Sequence, residues 1–283
     1  MVDDVWTVKR ILAWIEDYLA QHGDDKPRAA AQWLVSDALG VSRMQLYLDP
    51  ERPLSADERT VLRDYTRRRA AGEPLQYITG YAPFFGRDFL VRPGVLIPRF
   101  DTETLIETVL PHLRSGMHLL DLCTGSGCIL LTLLLEGPSG VSGTGADISE
   151  EALAVARENA ERFHVEAGLV RSNLYSNIHG LYDIITANPP YIRTRVIDTL
   201  APEVRDHEPR LALDGEEDGL AFYRRITEGA PAVLKAGGML AFEIGYDQAE
   251  SVTEIMEDGG FQRVTVVKDL AGNPRVASGY LQE

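Results

Sequence analysis

Residues whose types and spacing could do chemistry gather in two short runs. The first, Asp121-Leu122-Cys123-Thr124-Gly125-Ser126-Gly127, lies between an apolar strand pattern and an apolar helix pattern. Glycine at such a junction lets the backbone turn sharply and approach a ligand closely. The run has neither the three spaced glycines of a dinucleotide fingerprint nor the Gly-Lys-Ser/Thr of a phosphate loop. A second acid, Asp147, with Ile148 behind it, closes the next predicted strand, 20 residues after Gly127. A carboxylate there can accept hydrogen bonds from both ribose hydroxyls of a nucleoside. Asp121 beside the turn disfavours a pyrophosphate and favours a ligand carrying an amino group or a positive charge. S-adenosyl-L-methionine has both an ammonium and a sulfonium, so it is the expected cofactor, with S-adenosyl-L-homocysteine as product.

The second run is Asn188-Pro189-Pro190-Tyr191, at the end of an apolar stretch over residues 182–187. The prolines fix φ and remove backbone donors, and the first of them pushes Asn188 out of the helical region. The Asn188 carboxamide can donate and accept, and the Pro189 carbonyl is a further acceptor. Together they can hold both hydrogens of a planar –NH2 group while Tyr191 packs on its flat face. Such a nitrogen is a poor nucleophile, because its lone pair is delocalised. Holding its hydrogens in strong acceptors and aiming it at a sulfonium methyl is the catalysis available here. A proton can leave after transfer, so no base need act first. The run alone does not choose between a glutamine amide and the exocyclic amine of adenine or cytosine.

The elements that position these runs follow from periodicity. Val8, Ile11, Leu12, Ile15 and Leu19 share one helical face. Pro27 suits the first turn of a second helix to about Leu39, Ser42 can cap a short one, and Ser55 with Glu58 fits a capping box for a third long helix ending near Gly72. Its run Arg67-Arg68-Arg69 reads as a charged helix end or, alternatively, as a basic contact patch. Phe84-Phe85 and Phe89-Leu90-Val91 around Gly86-Arg87-Asp88 suggest a hairpin, and Asp101 or Thr102 can cap a helix carrying Leu105, Ile106, Val109 and Leu110. From residue 117 strands and helices alternate. Strands are predicted over 118–122, 141–146, 165–170, 182–187, 239–244, 261–267 and 276–281, and helices over 127–135, 149–163, 219–234 and 248–256. This is an α/β pattern with an open, mainly parallel sheet and helices on both faces.

Bulk properties narrow the partners. Lys and Arg total 28 against 43 Asp and Glu, a net charge of -15. That surface repels phosphates at long range, so no direct nucleic-acid partner is expected. No apolar stretch is long enough to span a bilayer, and no secretory leader is evident, so a cytoplasmic location without membrane contact is expected. Cys123 and Cys128 can build neither a disulfide framework nor a four-ligand zinc site. Cys123 reads as backbone of the turn and Cys128 as a buried helix residue.

Taken together, these runs resemble the protein-(glutamine-N5) methyltransferases, most closely those that act on peptide chain release factors. The resemblance covers nearly the whole chain. Its further motifs are Glu73-Pro74-Leu75-Gln76-Tyr77-Ile78-Thr79-Gly80, Leu96-Ile97-Pro98-Arg99 with Asp101-Thr102-Glu103, Glu208-Pro209-Arg210-Leu211-Ala212-Leu213, Asp218-Gly219-Leu220 and Asp269-Leu270-Ala271-Gly272. It implies a helical N-terminal domain (1–78) that helps receive the protein substrate, a hairpin linker (79–97), and a seven-stranded Rossmann-like S-adenosylmethionine-dependent methyltransferase domain (98–283). It implies a monomer that methylates the glutamine of a Gly-Gly-Gln motif. Asn188 and Pro189 would hold the glutamine amide, with Pro190 and Tyr191 shaping the pocket. The turn from Cys123 to Gly127 would hold the methionine part, Asp147 the ribose, Asn173-Leu174 the adenine, and Phe100 would border the cofactor. Asn173 stands where an Asp is usual, Phe100 where Pro is common, and Pro274 where Asp is common. A glutamine methyltransferase for a ribosomal protein, or a DNA or RNA amino-methyltransferase, remain the alternatives.

Overall fold

Helices α1 (Val8–Gln21), α2 (Pro27–Leu39), α3 (Arg43–Leu48), α4 (Ala56–Ala70) and α5 (Leu75–Thr79) come first in the computed structural model, which describes residues 5–282. Each starts for a local reason. The Thr7 side chain accepts the Arg10 N–H, Pro27 opens α2, and Ser42 with Gln45 and Ser55 with Glu58 form reciprocal capping boxes. Val8, Ile11, Ile15 and Leu19 pack against Ala30, Leu34, Val35, Leu46 and Leu62 in one apolar core. The single-turn helix α5 was not expected. The three consecutive arginines do not form a free basic patch. Arg67 pairs with Asp64, Arg68 with Glu73, and Arg69 with both Asp24 and Glu203.

The last of these pairs reflects a division the sequence did not suggest. The chain forms two compact units, Met1–Gly80 with Ala201–His207, and Tyr81–Leu200 with Glu208–Glu283. The short helix α10 (Pro202–Arg205) therefore belongs with the N-terminal helices.

In the second unit, β1 (Tyr81–Phe84) and β2 (Arg87–Leu90) form an antiparallel hairpin. Its turn is Phe85-Gly86, both at positive φ, rather than residues 86–88. Phe84 and Phe89 are buried in the same core as Leu105, Ile106 and Leu130. The hairpin is thus part of the sheet unit and not a linker. Helix α6 (Glu103–Val109) is not capped by Asp101 or Thr102. A 3-10 turn over Phe100–Thr102 leads into it, and Thr102 makes no capping bond.

The sheet comprises β3 (His118–Leu122), β4 (Ser142–Asp147), β5 (Gly168–Arg171), β6 (Tyr182–Ala187), β7 (Leu234–Glu243), β8 (Phe261–Lys268) and β9 (Pro274–Leu281), in the order β5-β4-β3-β6-β7-β9-β8. The first five run parallel to one another, and β9 runs antiparallel to β7 and β8. Side-chain alternation gives the sheet two apolar faces. Leu119, Ile184, Met239 and Ala241 meet α6 and α7 (Cys128–Glu136), while Leu120, Leu122, Ile185 and Phe242 meet α12 (Ala221–Gly229) and α13 (Ala249–Asp258). Helix α8 (Glu150–Phe163) follows β4, and single-turn helices α9 (Thr194–Ile197) and α11 (Arg210–Leu213) follow β6. Strand order reverses between β3 and β6. In an open α/β sheet that is where the carboxyl ends of the strands leave a ligand crevice.

Candidate active site

The crevice is present. A cavity of about 350 Å³ opens at the carboxyl ends of β3, β4 and β6, within the range of small-molecule sites. The turn after β3 forms its floor. Cys123, Gly125 and Gly127 all have positive φ, and the Thr124 N–H donates to the Ala146 carbonyl of β4. Close approach is possible because β4 is nearly bare. A Cβ on Gly145 would stand 2.9 Å from Thr124 Oγ1, and one on Gly143 2.5 Å from Leu130.

Asp147 lies in the wall at the end of β4. Its Oδ2 accepts the Gly125 N–H and its Oδ1 the Ser149 N–H, both at 2.9 Å. Each oxygen keeps a second lone pair for a hydroxyl. Burial pushes its pKa above the usual carboxylate value. Of the other expected cofactor residues, Cys123, Thr124, Gly125, Ser126, Ile148, Asn173 and Leu174 line the cavity. The Asn173 amide oxygen is shared with this chain's own Arg225, whose guanidinium donates to it at 3.0 Å.

Three expected residues stand elsewhere. Asp121 is fully buried beneath the turn and does not reach the cavity. Its Oδ2 accepts the Thr124 hydroxyl at 2.6 Å and its Oδ1 the Thr186 hydroxyl at 2.7 Å, so it joins the turn to β6. Burial raises its pKa to about 7. Phe100 is 71% exposed and lies outside the cavity, whose wall is formed by its neighbours Pro98, Arg99 and Thr102. Gly127 is also off the wall. It starts α7 and makes room for Leu131, 3.1 Å from where its Cβ would be. Burial raises both cysteine thiols far above their ordinary value, so neither is a thiolate nucleophile.

The Asn188 loop leaves β6 across the crevice from Asp147. Asn188 is half-buried in the cavity wall, and its carboxamide has no hydrogen-bond partner among the described residues. Pro190 continues the wall. Pro189 is buried behind it, and Tyr191 does not face the cavity. Instead the Tyr191 ring packs on the sheet core, and its hydroxyl donates to Glu243 Oε1 at 3.4 Å. Glu243 is itself buried, which raises its pKa.

Residues 10–80 match the PrmC N-terminal domain family, and residues 94–205 the methyltransferase small domain family. A release factor glutamine methyltransferase of Geobacter sulfurreducens is 41% identical over 277 residues, covering 98% of this chain and 97% of its own. One from Caulobacter vibrioides is 43% identical over 280 residues, covering 96% of each. This chain belongs to the release factor glutamine methyltransferase family. A methyltransferase from Pyrococcus furiosus shares the fold, with a TM-score of 0.53 and 22% identity over 71% of this chain and 91% of that one. The family carries an S-adenosylmethionine-dependent methyltransferase domain, and the cavity fits that cofactor: a carboxylate with free lone pairs beside a left-handed glycine turn, and apolar walls from Ile129, Ile148, Leu174 and Phe222.

Several wall residues carried no assigned role in the sequence. Val95, Leu96, Pro98 and Arg99 cover one side, and Pro209, Leu211 and Ala212 another. Glu208 ties the two together by pairing with Arg99 and accepting the Ile97 N–H. Both runs were visible as motifs of the family resemblance, but nothing local marked them as cavity walls. Phe222 and Arg225, on α12, gave no such signal.

Proposed function

We propose that this protein transfers a methyl group to the side-chain amide nitrogen (N5) of the glutamine in the Gly-Gly-Gln motif of peptide chain release factors, modifying translation termination. The observation that carries this reading is the free Asn188 carboxamide facing Asp147 across one cavity, in a chain aligned end to end with release factor glutamine methyltransferases. S-adenosyl-L-methionine supplies an electrophilic methyl on a sulfonium. Asp147 would take the ribose hydroxyls on its two free lone pairs, and the turn from Cys123 to Ser126 would cradle the methionine part. The Asn188 oxygen accepts an N–H of the incoming amide, and its NH2 can donate to the amide carbonyl. That pairing fixes the plane of the amide and turns its nitrogen toward the methyl donor. Positive charge grows on the nitrogen as the bond forms, and the partial negative charge of the Asn188 oxygen stabilises it. After transfer the nitrogen gives up its extra proton to solvent. A cytoplasmic location accompanies this substrate.

The test is transfer of labelled methyl into purified release factor, beside a factor whose motif glutamine is replaced by alanine. Label in the first and not in the second is expected. Equal labelling of both would overturn the acceptor, and transfer only to a ribosomal protein or a nucleic acid would overturn the substrate.

A further inference from the structure

The Asn188 loop has no secondary structure of its own to hold it, yet its job depends on position. Its backbone is gripped from two sides. Gly215 and Gly219 press against it. A Cβ at 215 would stand 2.7 Å from Tyr191 Cα and 2.9 Å from the Pro190 carbonyl oxygen, and one at 219 only 2.5 Å from the Tyr191 carbonyl oxygen. The Ile192 N–H donates to the Leu213 carbonyl, and the Gly215 N–H donates back to the Ile192 carbonyl. From the other side comes Gln248, the residue before α13, which is 4% exposed. Its Nε2 donates to the Tyr191 carbonyl at 3.0 Å and to the Gly219 carbonyl at 3.1 Å. Its Oε1 accepts the Gly245 N–H at 2.9 Å and the Tyr223 hydroxyl at 3.3 Å. The Tyr223 hydroxyl shares its one proton with the Glu243 carbonyl at 3.0 Å, and the amide's bonds join the acceptor loop to the 219–223 stretch and to the turn before α13.

We propose that Gln248 is a positioning residue for methyl transfer: it clamps the Asn188 loop, with Gly215 and Gly219, at the distance from the cofactor turn that the reaction needs. It does not line the cavity, so it acts through the loop. Its role in the reaction rests on the reading of Asn188 as the acceptor-holding group. An acceptor loop free to drift by about 1 Å loses about 100-fold in rate. Losing the clamp therefore lowers kcat and spares cofactor binding.

Two variants test this. Gln248→Met keeps the volume and removes all four bonds. Gln248→Glu keeps the acceptor but, when ionised, has no donor for the Tyr191 and Gly219 carbonyls. Expected are a kcat lower by about 100-fold, an unchanged calorimetric cofactor Kd, and faster amide exchange at Ile192 and Gly215. In Gln248→Glu, activity recovers relative to wild type as pH falls, because the protonated acid regains one donor. Wild-type kcat and exchange in the Met variant would overturn the clamp, as would a loss of kcat matched by a loss of cofactor affinity. If the Met variant does not fold, the Glu variant decides: a pH profile parallel to wild type overturns the proposal. Amide exchange needs no substrate, so it reads the clamp even if wild type fails to label release factor, an outcome that would sink the function proposed above instead.

Discussion

Asp147 Oδ2 accepts the backbone N–H of Gly125 at 2.9 Å, so the acid that ends β4 is fastened to the turn that leaves β3. The same carboxylate therefore shapes the turn and presents lone pairs to a ligand. Asp147→Ala removes both contributions. Charge-assisted hydrogen bonds contribute about 1.5–3 kcal/mol each, so cofactor Kd should rise by at least about tenfold. Asp147→Asn, which keeps one acceptor, should fall between the two in the same calorimetric titration. An unchanged Kd in the alanine variant would place the ribose elsewhere.

Asn188→Ala should separate chemistry from binding. Among the described residues the carboxamide has no hydrogen-bond partner to lose, so the fold should tolerate the change. Removing one preorganised polar group at a reacting centre costs about 10²–10³ in kcat. Single-turnover labelling should show that loss while cofactor Kd moves by less than about tenfold. Wild-type turnover would end the proposed role.

Two glycine substitutions should fail in different ways. Gly145→Ala puts a methyl 2.9 Å from Thr124 Oγ1, 3.0 Å from Leu169 and 3.1 Å from Leu130. Overpacking of this kind costs about 1–3 kcal/mol and displaces the cofactor turn, so Tm should fall and cofactor Kd rise. Gly215→Ala strikes the backbone of the acceptor loop, so kcat should fall with Kd unchanged. The same profile from both variants would contradict this division of labour.

Asp121 makes a pH prediction. Its carboxyl keeps its proton to about pH 7 in the folded protein, whereas an unfolded Asp ionises near about 3.9. Between those values the folded state holds a proton that the unfolded state lacks. Stability therefore falls as pH rises through this window, by up to about 1.4 kcal/mol per pH unit. Asp121→Asn removes that dependence. The Tm of the variant minus that of wild type should climb from about pH 4 to about pH 7 and then level. A difference that stays flat would mean that Asp121 is ionised throughout.

The elements that carry the site were legible because they are locally complete. The strands over His118–Leu122 and Tyr182–Ala187 match their expected bounds, since each is an apolar run that ends at a turn residue. Strand β5 begins at Gly168, later than the apolar Val165 suggested. The single-turn helices α5, α9, α10 and α11 leave no periodic trace, because tertiary contacts hold them. Asp121 could have been placed better. It shares strand parity with Leu119, which faces α7, and it pairs in register with Thr186, so its side chain had to point under the turn. Gln248 could not have been found this way. Its partners in the acceptor loop and the 219–223 stretch lie 25 to 57 residues away, and a lone glutamine before a helix has no local signature.

The seven residues from Ala201 to His207 give the chain an unusual wiring. They are encoded between the acceptor loop and the cavity wall at Pro209, yet they pack with the N-terminal helices, where Glu203 pairs with Arg69. A cut at residue 80 would not release two whole modules. It would take from the first its last helix and leave in the second a stray segment with an orphaned acid. Recombination that swaps one such helical region for another must therefore exchange two stretches of gene together, which ties the inheritance of the N-terminal region to that of the catalytic one.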